Sequence, residues 1–231
     1  MQINGIDIST YKAKLLDRVI GIAEPYNCNS WGDKSPTPTT QTNYFYSHKN
    51  IKLKFDIITT SSTELELCKS RLTKALENAT IKFNDIDMNY TGYYVETPTV
   101  EYIAKNNDTI EFNFYAYAWK EEKTETFNKT LTKTITVTGS QKAPCIIEIS
   151  PTANYGSLTL KINSRSITIK NITANKKIIL NGVTGKFTEE NSNKFSDIDL
   201  WELPYLDVGS NTLTIDKNTY NIKIKYKNIF I

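Results

Sequence analysis

Ile110-Glu111-Phe112-Asn113-Phe114-Tyr115-Ala116-Tyr117-Ala118-Trp119 is the stretch whose reading decides the fold. Ile110, Phe112, Phe114, Ala116 and Ala118 recur at every second position, the period at which a strand turns successive side chains to opposite faces. One face is therefore apolar throughout. The other starts wet, with Glu111 and Asn113, and ends aromatic, with Tyr115, Tyr117 and Trp119. A strand carrying large rings on its second face needs cover there too, from a loop, another domain or a neighbouring subunit. Tyr115, Tyr117 and Trp119 are accordingly the candidate interface residues.

Upstream, Ile51, Leu53, Phe55 and Ile57 alternate with Lys52, Lys54 and Asp56, a strand with one apolar and one wet face. The period then changes. Leu65, Cys68, Leu72, Leu76 and Ala79 are spaced by three or four, so an amphipathic helix is expected over about 62–78, lying on a sheet. Ser61 and Glu64 have capping-box spacing at its start, and Lys69, Arg71 and Lys74 favour its C-terminal end. Asn4-Gly5 and Asn181-Gly182 both carry the signature of a tight type I′ hairpin. Residues 27–41, rich in Asn, Ser, Thr, Pro and Gly around Trp31, read as a long loop or arm.

Gly139, Ser140 and Pro144 punctuate the chain after the alternating run 131–138. A domain boundary is placed there, giving residues 1–138 as an N-terminal β-domain and 139–231 as a second domain. Short alternating runs at 145–149, 158–162, 167–172, 178–180, 213–215 and 220–226, with a turn roughly every ten residues, predict a β-sandwich. The fold class is mainly β. Lys223, Lys225 and Lys227 alternate with Ile222, Ile224 and Tyr226, which reads as the wet face of an edge or outer strand and not as a nucleic-acid stripe.

The 231 residues are 39% hydrophobic, enough for two cores, and no run is long and apolar enough to span a membrane. Residues 1–10 lack a basic region followed by an apolar run, so no secretory leader is expected. The net charge of +3 is spread thinly, with 16 basic and 17 acidic residues up to 138 and 12 and 8 beyond it. That balance is too weak for a nucleic-acid partner. Cys28, Cys68 and Cys145 are odd in number and widely spaced, neither a disulfide framework nor a metal motif. His48 is the single histidine and has no nucleophile motif near it; phosphate-binding glycine loops are absent. The densest carboxylates, Asp197, Asp199 and Glu202, surround Trp201. They are read first as turn chemistry, with ligand contact through Trp201 as the functional alternative and calcium binding or glycoside hydrolysis behind it. No catalytic residue, metal ligand or cofactor is expected, and the chain is not expected to be an enzyme.

Taken in order, several segments resemble the distal tail proteins of long, non-contractile-tailed phages. They are Ile3-Asn4-Gly5-Ile6-Asp7, the strand at 51–57 leading into the helix after Ser61, Tyr90-Thr91-Gly92-Tyr93-Tyr94, and the strand at 109–119. Thr136-Val137-Thr138-Gly139 followed by Ala143-Pro144-Cys145-Ile146-Ile147-Glu148-Ile149 is similar to the family's crossing into its second domain. Leu200-Trp201-Glu202-Leu203-Pro204-Tyr205-Leu206-Asp207-Val208-Gly209-Ser210-Asn211-Thr212-Leu213-Thr214-Ile215 resembles the family's turn before a late strand, where Gly209 supplies the turn and Asn211 bonds the backbone. The resemblance implies a ring-forming N-terminal β-domain, a homo-hexamer, and a C-terminal galectin-like β-sandwich outside the ring. It implies a virion structural protein at a phage or prophage tail tip, made in the host cytoplasm. Its partners are then the tail tube, the tail-associated protein and a receptor-binding protein. The second domain is compact, without the long insertions that serve carbohydrate binding in some members. The alternative reading is a carbohydrate-binding β-sandwich module for host surface glycans, with Trp201 as the contact.

Overall fold

The computed structural model describes residues 1–23, 25–26, 45–46, 48–217 and 219–231. They fall into two units, Met1–Trp119 with Ile231, and Lys120–Phe230. The first contains β1 (Gln2–Ile3), β2 (Ile6–Asp7), β3 (Ala13–Ile20), β4 (Pro25–Tyr26), β5 (Phe45–Tyr46), β6 (Lys49–Ile58), α1 (Ser62–Leu76), β7 (Ala79–Lys82), β8 (Asn89–Tyr94), β9 (Thr99–Ala104) and β10 (Asn107–Trp119). Its main sheet has the order β2-β1-β7-β8-β10-β6-β3. Along one edge of β10, β8 takes the second half and β9 the first. β4 and β5 pair with each other.

The ladder between β10 and β6 runs unbroken from Asn107↔Ile58 to Ala116↔Lys49. Residues directly opposite share a face, so Ile51, Leu53, Phe55 and Ile57 join Phe114, Phe112 and Ile110 on one side. All are buried, and Phe55 and Phe112 meet edge to face at 6.0 Å. α1 covers this side with Leu65, Cys68, Leu72 and Leu76, at the expected helical spacing. The helix ends at Leu76, two residues earlier than its periodicity suggests, because Ala79 already belongs to β7.

The helix cap differs from the expected box in one arm. Ser61 Oγ accepts from the Glu64 N–H at 3.2 Å, as its spacing requires. The Glu64 carboxylate, however, accepts from the N–H and hydroxyl of Thr60, at 3.1 and 2.8 Å, one residue further back. These bonds hold its carboxyl below the ordinary glutamate range. The Asn4-Gly5 turn is the hairpin expected: φ is 52° and 79°, and Ile3 pairs with Ile6.

The second unit contains β11 (Lys123–Asn128), β12 (Thr132–Val137), β13 (Ala143–Pro151), β14 (Tyr155–Ile162), β15 (Arg165–Ile172), β16 (Ile178–Asn181), β17 (Phe187–Glu189), β18 (Ser192–Asn193), β19 (Ile198–Leu200), β20 (Tyr205–Leu206), β21 (Gly209–Ile215), β22 (Tyr220–Tyr226) and β23 (Ile229–Phe230). One sheet has the order β11-β22-β13-β16-β17-β18, with β20 also on β13; the other is β12-β21-β14-β15-β19. Inward residues of both sheets form one core, from Phe127 and Ile135 through Ile147, Leu160 and Leu180 to Leu213 and Ile224. This is the β-sandwich that the alternating runs predict.

The division between units lies at Trp119/Lys120 and not at 138. β11 and β12 are the end strands of the two sandwich sheets, on β22 and β21 respectively. Gly139, Ser140 and Pro144 therefore mark a crossing between two sheets of one sandwich. The crossing is tied down by β23, whose Ile229 carbonyl accepts from the N–H groups of Ser140 and Gln141. Because β11 flanks β22, the row Lys223, Lys225 and Lys227 begins within an interior strand, where Lys223 and Lys225 line its wet face, and continues just beyond it.

Asn181-Gly182 is a second departure. β16 and β17 form a hairpin whose connection is five residues, 182–186, with the positive φ at Gly185. Asn181 Oδ1 accepts from Val183 and Thr184, an Asx turn. Gly182 serves close approach instead: a Cβ there would collide with the carbonyls of Pro204 and Cys145.

Candidate functional site

The aromatic face of β10 follows directly from register. Tyr115 stands between Tyr93 of β8 and Asn50 of β6, Tyr117 is opposite Thr91, and Trp119 is opposite Asn89. Tyr93 and Tyr117 are 41% and 42% exposed; Tyr115 and Trp119 are half-buried. Trp119 Nε1 donates to Thr91 Oγ1 at 2.8 Å, and that hydroxyl bonds Thr80 Oγ1 at 2.8 Å. Trp119 is thus held by its own sheet more than Tyr117 is. Tyr93 belongs to this face and was not singled out among the candidates, although the alternation of Tyr90-Thr91-Gly92-Tyr93-Tyr94 places it there. Gly92 keeps β8 close to β10, since a Cβ would run into the Tyr115 carbonyl.

His48 lies at the rim of the same face. It is exposed, and its ring meets Tyr93 edge-on at 5.8 Å. A cleft of about 350 Å³ beside it is lined by Asn4, Asn78, Thr80, Thr91 and Tyr117 among others, and among the described residues no carboxylate or thiol lines it. The surroundings offer contact area and hydroxyls, not an orienting partner for a catalytic base.

The carboxylates around Trp201 separate in space. Asp197 accepts from Asn171 Nδ2 at 3.0 Å and Lys194 Nζ at 3.2 Å, which together hold its carboxyl below the usual aspartate range. Asp199 pairs with Lys170 at 2.7 Å, and Glu202 accepts from the Tyr205 hydroxyl at 2.9 Å. Each ends on its own neighbour. Among the described residues no three His, Cys, Asp or Glu side chains are placed to hold a metal ion. Cys68 and Cys145 are buried and unpaired; burial pushes the Cys145 thiol up to about 12, so it carries no thiolate at neutral pH. Cys28 and Trp31 lie outside the described residues.

Trp201 itself is 97% exposed. It borders a second cleft, of about 350 Å³, with Arg165, Glu202 and Tyr205. The Arg165 guanidinium stacks on the Tyr205 ring at 3.6 Å and pairs with Asp207 at 2.7 Å. Lys142 lies over the same ring at 4.6 Å. Behind them Asn211 is fully buried. Its Oδ1 accepts from Asp207 N–H, and its Nδ2 donates to the carbonyls of Asp207 and Gly209. Gly209, at φ 85°, makes the turn.

No family model and no curated protein matches the sequence. The succession of a helix-bearing β unit and a β-sandwich recurs in solved structures of phage proteins. The Dit protein (gp 19.1) of phage SPP1, a paradigm of hub adsorption apparatus in phages infecting Gram-positive hosts, matches with a TM-score of 0.77 at 14% identity, over 100% of this chain and 98% of that one. The phage p2 baseplate in its activated conformation with Sr matches with a TM-score of 0.52 at 10% identity, over 96% of this chain and 92% of that one.

Proposed function

We propose that this chain is a structural protein of a phage tail tip: a hub, homo-hexameric, that joins the tail tube to the tail-associated and receptor-binding proteins. The observation that carries the reading is the end-to-end likeness in fold to a hub protein. It includes both units in their order, where a likeness to the sandwich alone would fit many unrelated binding modules. The first unit is then the ring-forming part and the second a galectin-like module.

The face bearing Tyr93, Tyr115 and Tyr117 supports self-assembly. Large rings partly left in water on a sheet face are the composition that interface centres favour. β3 adds exposed Leu16 and Val19 at the far end of the same sheet. A sheet closed into a ring with its neighbours leaves no free edge of this kind.

The test is the mass of the full chain by light scattering behind a sizing column, over a range of concentrations, alone and with the tail tube protein. A species of about six times 26.4 kDa is expected. Trp119→Asp strikes the same face, but it also removes the bond to Thr91; Tyr117→Asp is the cleaner variant. It should shift the protein to monomer with its melting temperature within a few degrees of the parent. Intact hexamers of Tyr117→Asp would move the interface elsewhere. A parent chain that stays monomeric even with the tube protein would sink the hub reading.

A further inference from the structure

We propose that the cleft beside Trp201 is a binding site for a neutral sugar, a hexopyranose that lays one C–H face on the indole. Burial of a tryptophan side chain is among the larger apolar gains available to a chain, yet Trp201 makes none of it: the ring is 97% exposed. Nothing in the local fold needs an indole there. The Asx and glycine chemistry of the adjoining turn is carried by Gly209 and Asn211.

The rest of the cleft joins apolar walls, Ile162, Ile167, Leu203 and Pro204, to polar groups that are already held in place. Arg165 is held flat on Tyr205 by stacking at 3.6 Å and by its ion pair with Asp207 at 2.7 Å. Asp207 is held in turn by Asn163 Nδ2 at 3.0 Å. Glu202 is oriented by the Tyr205 hydroxyl at 2.9 Å, and Lys142 donates to that hydroxyl at 3.2 Å. A guanidinium and a carboxylate therefore stand beside an aromatic plate with part of their rotamer entropy already spent. Ser164 and Ser166 add hydroxyls at the rim. Vicinal sugar hydroxyls need donors and acceptors side by side, and this set supplies both.

Charge and size select the ligand class. Arg165 and Lys142 are balanced by Glu202 and Asp207, so the cleft offers no net attraction to an anion. Its volume of about 350 Å³ is at the small end of ligand sites, room for one or two sugar rings. Leu203 and Pro204 give the cleft an apolar wall beside the indole; a protein partner would need a contact of roughly 800 Å², far more than a cleft of this size offers. All these residues belong to the second unit, so the proposal stands or falls separately from the ring.

Saturation-transfer difference NMR on the full chain, with glucose, galactose, mannose and N-acetylglucosamine each at tens of millimolar, tests it. At least one sugar should receive saturation at the C–H protons of one face. Trp201→Ala should lower the affinity roughly tenfold or more while its thermal unfolding stays that of the parent, as befits an exposed ring. Glu202→Gln should weaken binding severalfold, since the carboxylate loses its full acceptor strength. Absence of transfer from all four sugars overturns the proposal, as does transfer that survives Trp201→Ala. If the sugars are silent and Trp201→Ala instead abolishes pull-down of another tail protein, the plate is a protein contact and the proposal is equally overturned.

Discussion

The sheet of the first unit and the sandwich of the second are written in the same alternating pattern, but they treat their outward faces differently. In the sandwich each sheet covers the other, and the outer faces meet water with ion pairs: Glu148 takes Lys225 at 2.6 Å and Lys177 at 2.8 Å, and Lys170 takes Asp199. In the first unit α1 covers one face of the sheet, and the other presents Tyr93, Tyr115 and Tyr117. The chain evidently has the means to make an outer face wet. That it places rings on β8 and β10 instead argues that water is not the final neighbour of that face.

The largest effect is expected from cutting the sandwich at the wrong place. A chain beginning at residue 139 lacks β11 and β12, and with them the buried Phe127, Ile135 and Val137. It should show no cooperative melting transition by circular dichroism, while a chain beginning at Lys120 should melt in a single step. Cooperative folding of the shorter piece would mean that the end strands are accessories and not part of the core.

Next in size is the lid of the first unit. Leu72 is fully buried under α1 against the sheet, so Leu72→Ala should cost about 2–5 kcal/mol through lost contact and the cavity left behind. Followed by urea unfolding, the loss should appear in the transition of the first unit and leave that of the second in place. A shift of both together would show that the units unfold as one and that the comparison between them is not a comparison of independent folds.

These contrasts also show what the sequence could and could not reveal. The strand at 110–119, the helix with its Ser61 cap, the Asn4-Gly5 turn and the role of Asn211 were all legible, because each is set by residues near in sequence. The domain boundary was not. Gly139 and Pro144 signal a break in direction, and a crossing between two sheets breaks the chain as surely as a crossing between domains. The true division, Trp119-Lys120-Glu121, has no turn residue at all. Asn181-Gly182 misled for a related reason: the glycine answers the backbones of Pro204 and Cys145, neighbours that only the fold provides. Alternation alone puts Tyr115 and Tyr117 on one face of their strand, as the register of β10 with β8 has them. The stacking of Arg165 on Tyr205 has no sequence signal, since the two lie on strands forty residues apart.

The smallest effect concerns the ion pairs that mark the sandwich's outer face. Burial works against the charge of Glu148, but hydrogen bonds from Lys177 and Lys225 prevail and hold its carboxyl below the ordinary 4.5. A carboxylate whose folded value is depressed adds stability above its unfolded value and loses it as pH falls through the folded one. Glu148→Gln should therefore lower stability by about 1 kcal/mol at neutral pH and by progressively less below pH 4.5, converging on the parent in acid. The matching change in the first unit is Glu101→Gln, which loosens a pair with Lys54 at 3.7 Å between two exposed side chains. Urea midpoints at a series of pH values should show almost no effect of Glu101→Gln anywhere. An equal effect of the two substitutions would mean that the sandwich's outer pairs are no better built than the first unit's, and would weaken the inference drawn from the rings of β8 and β10.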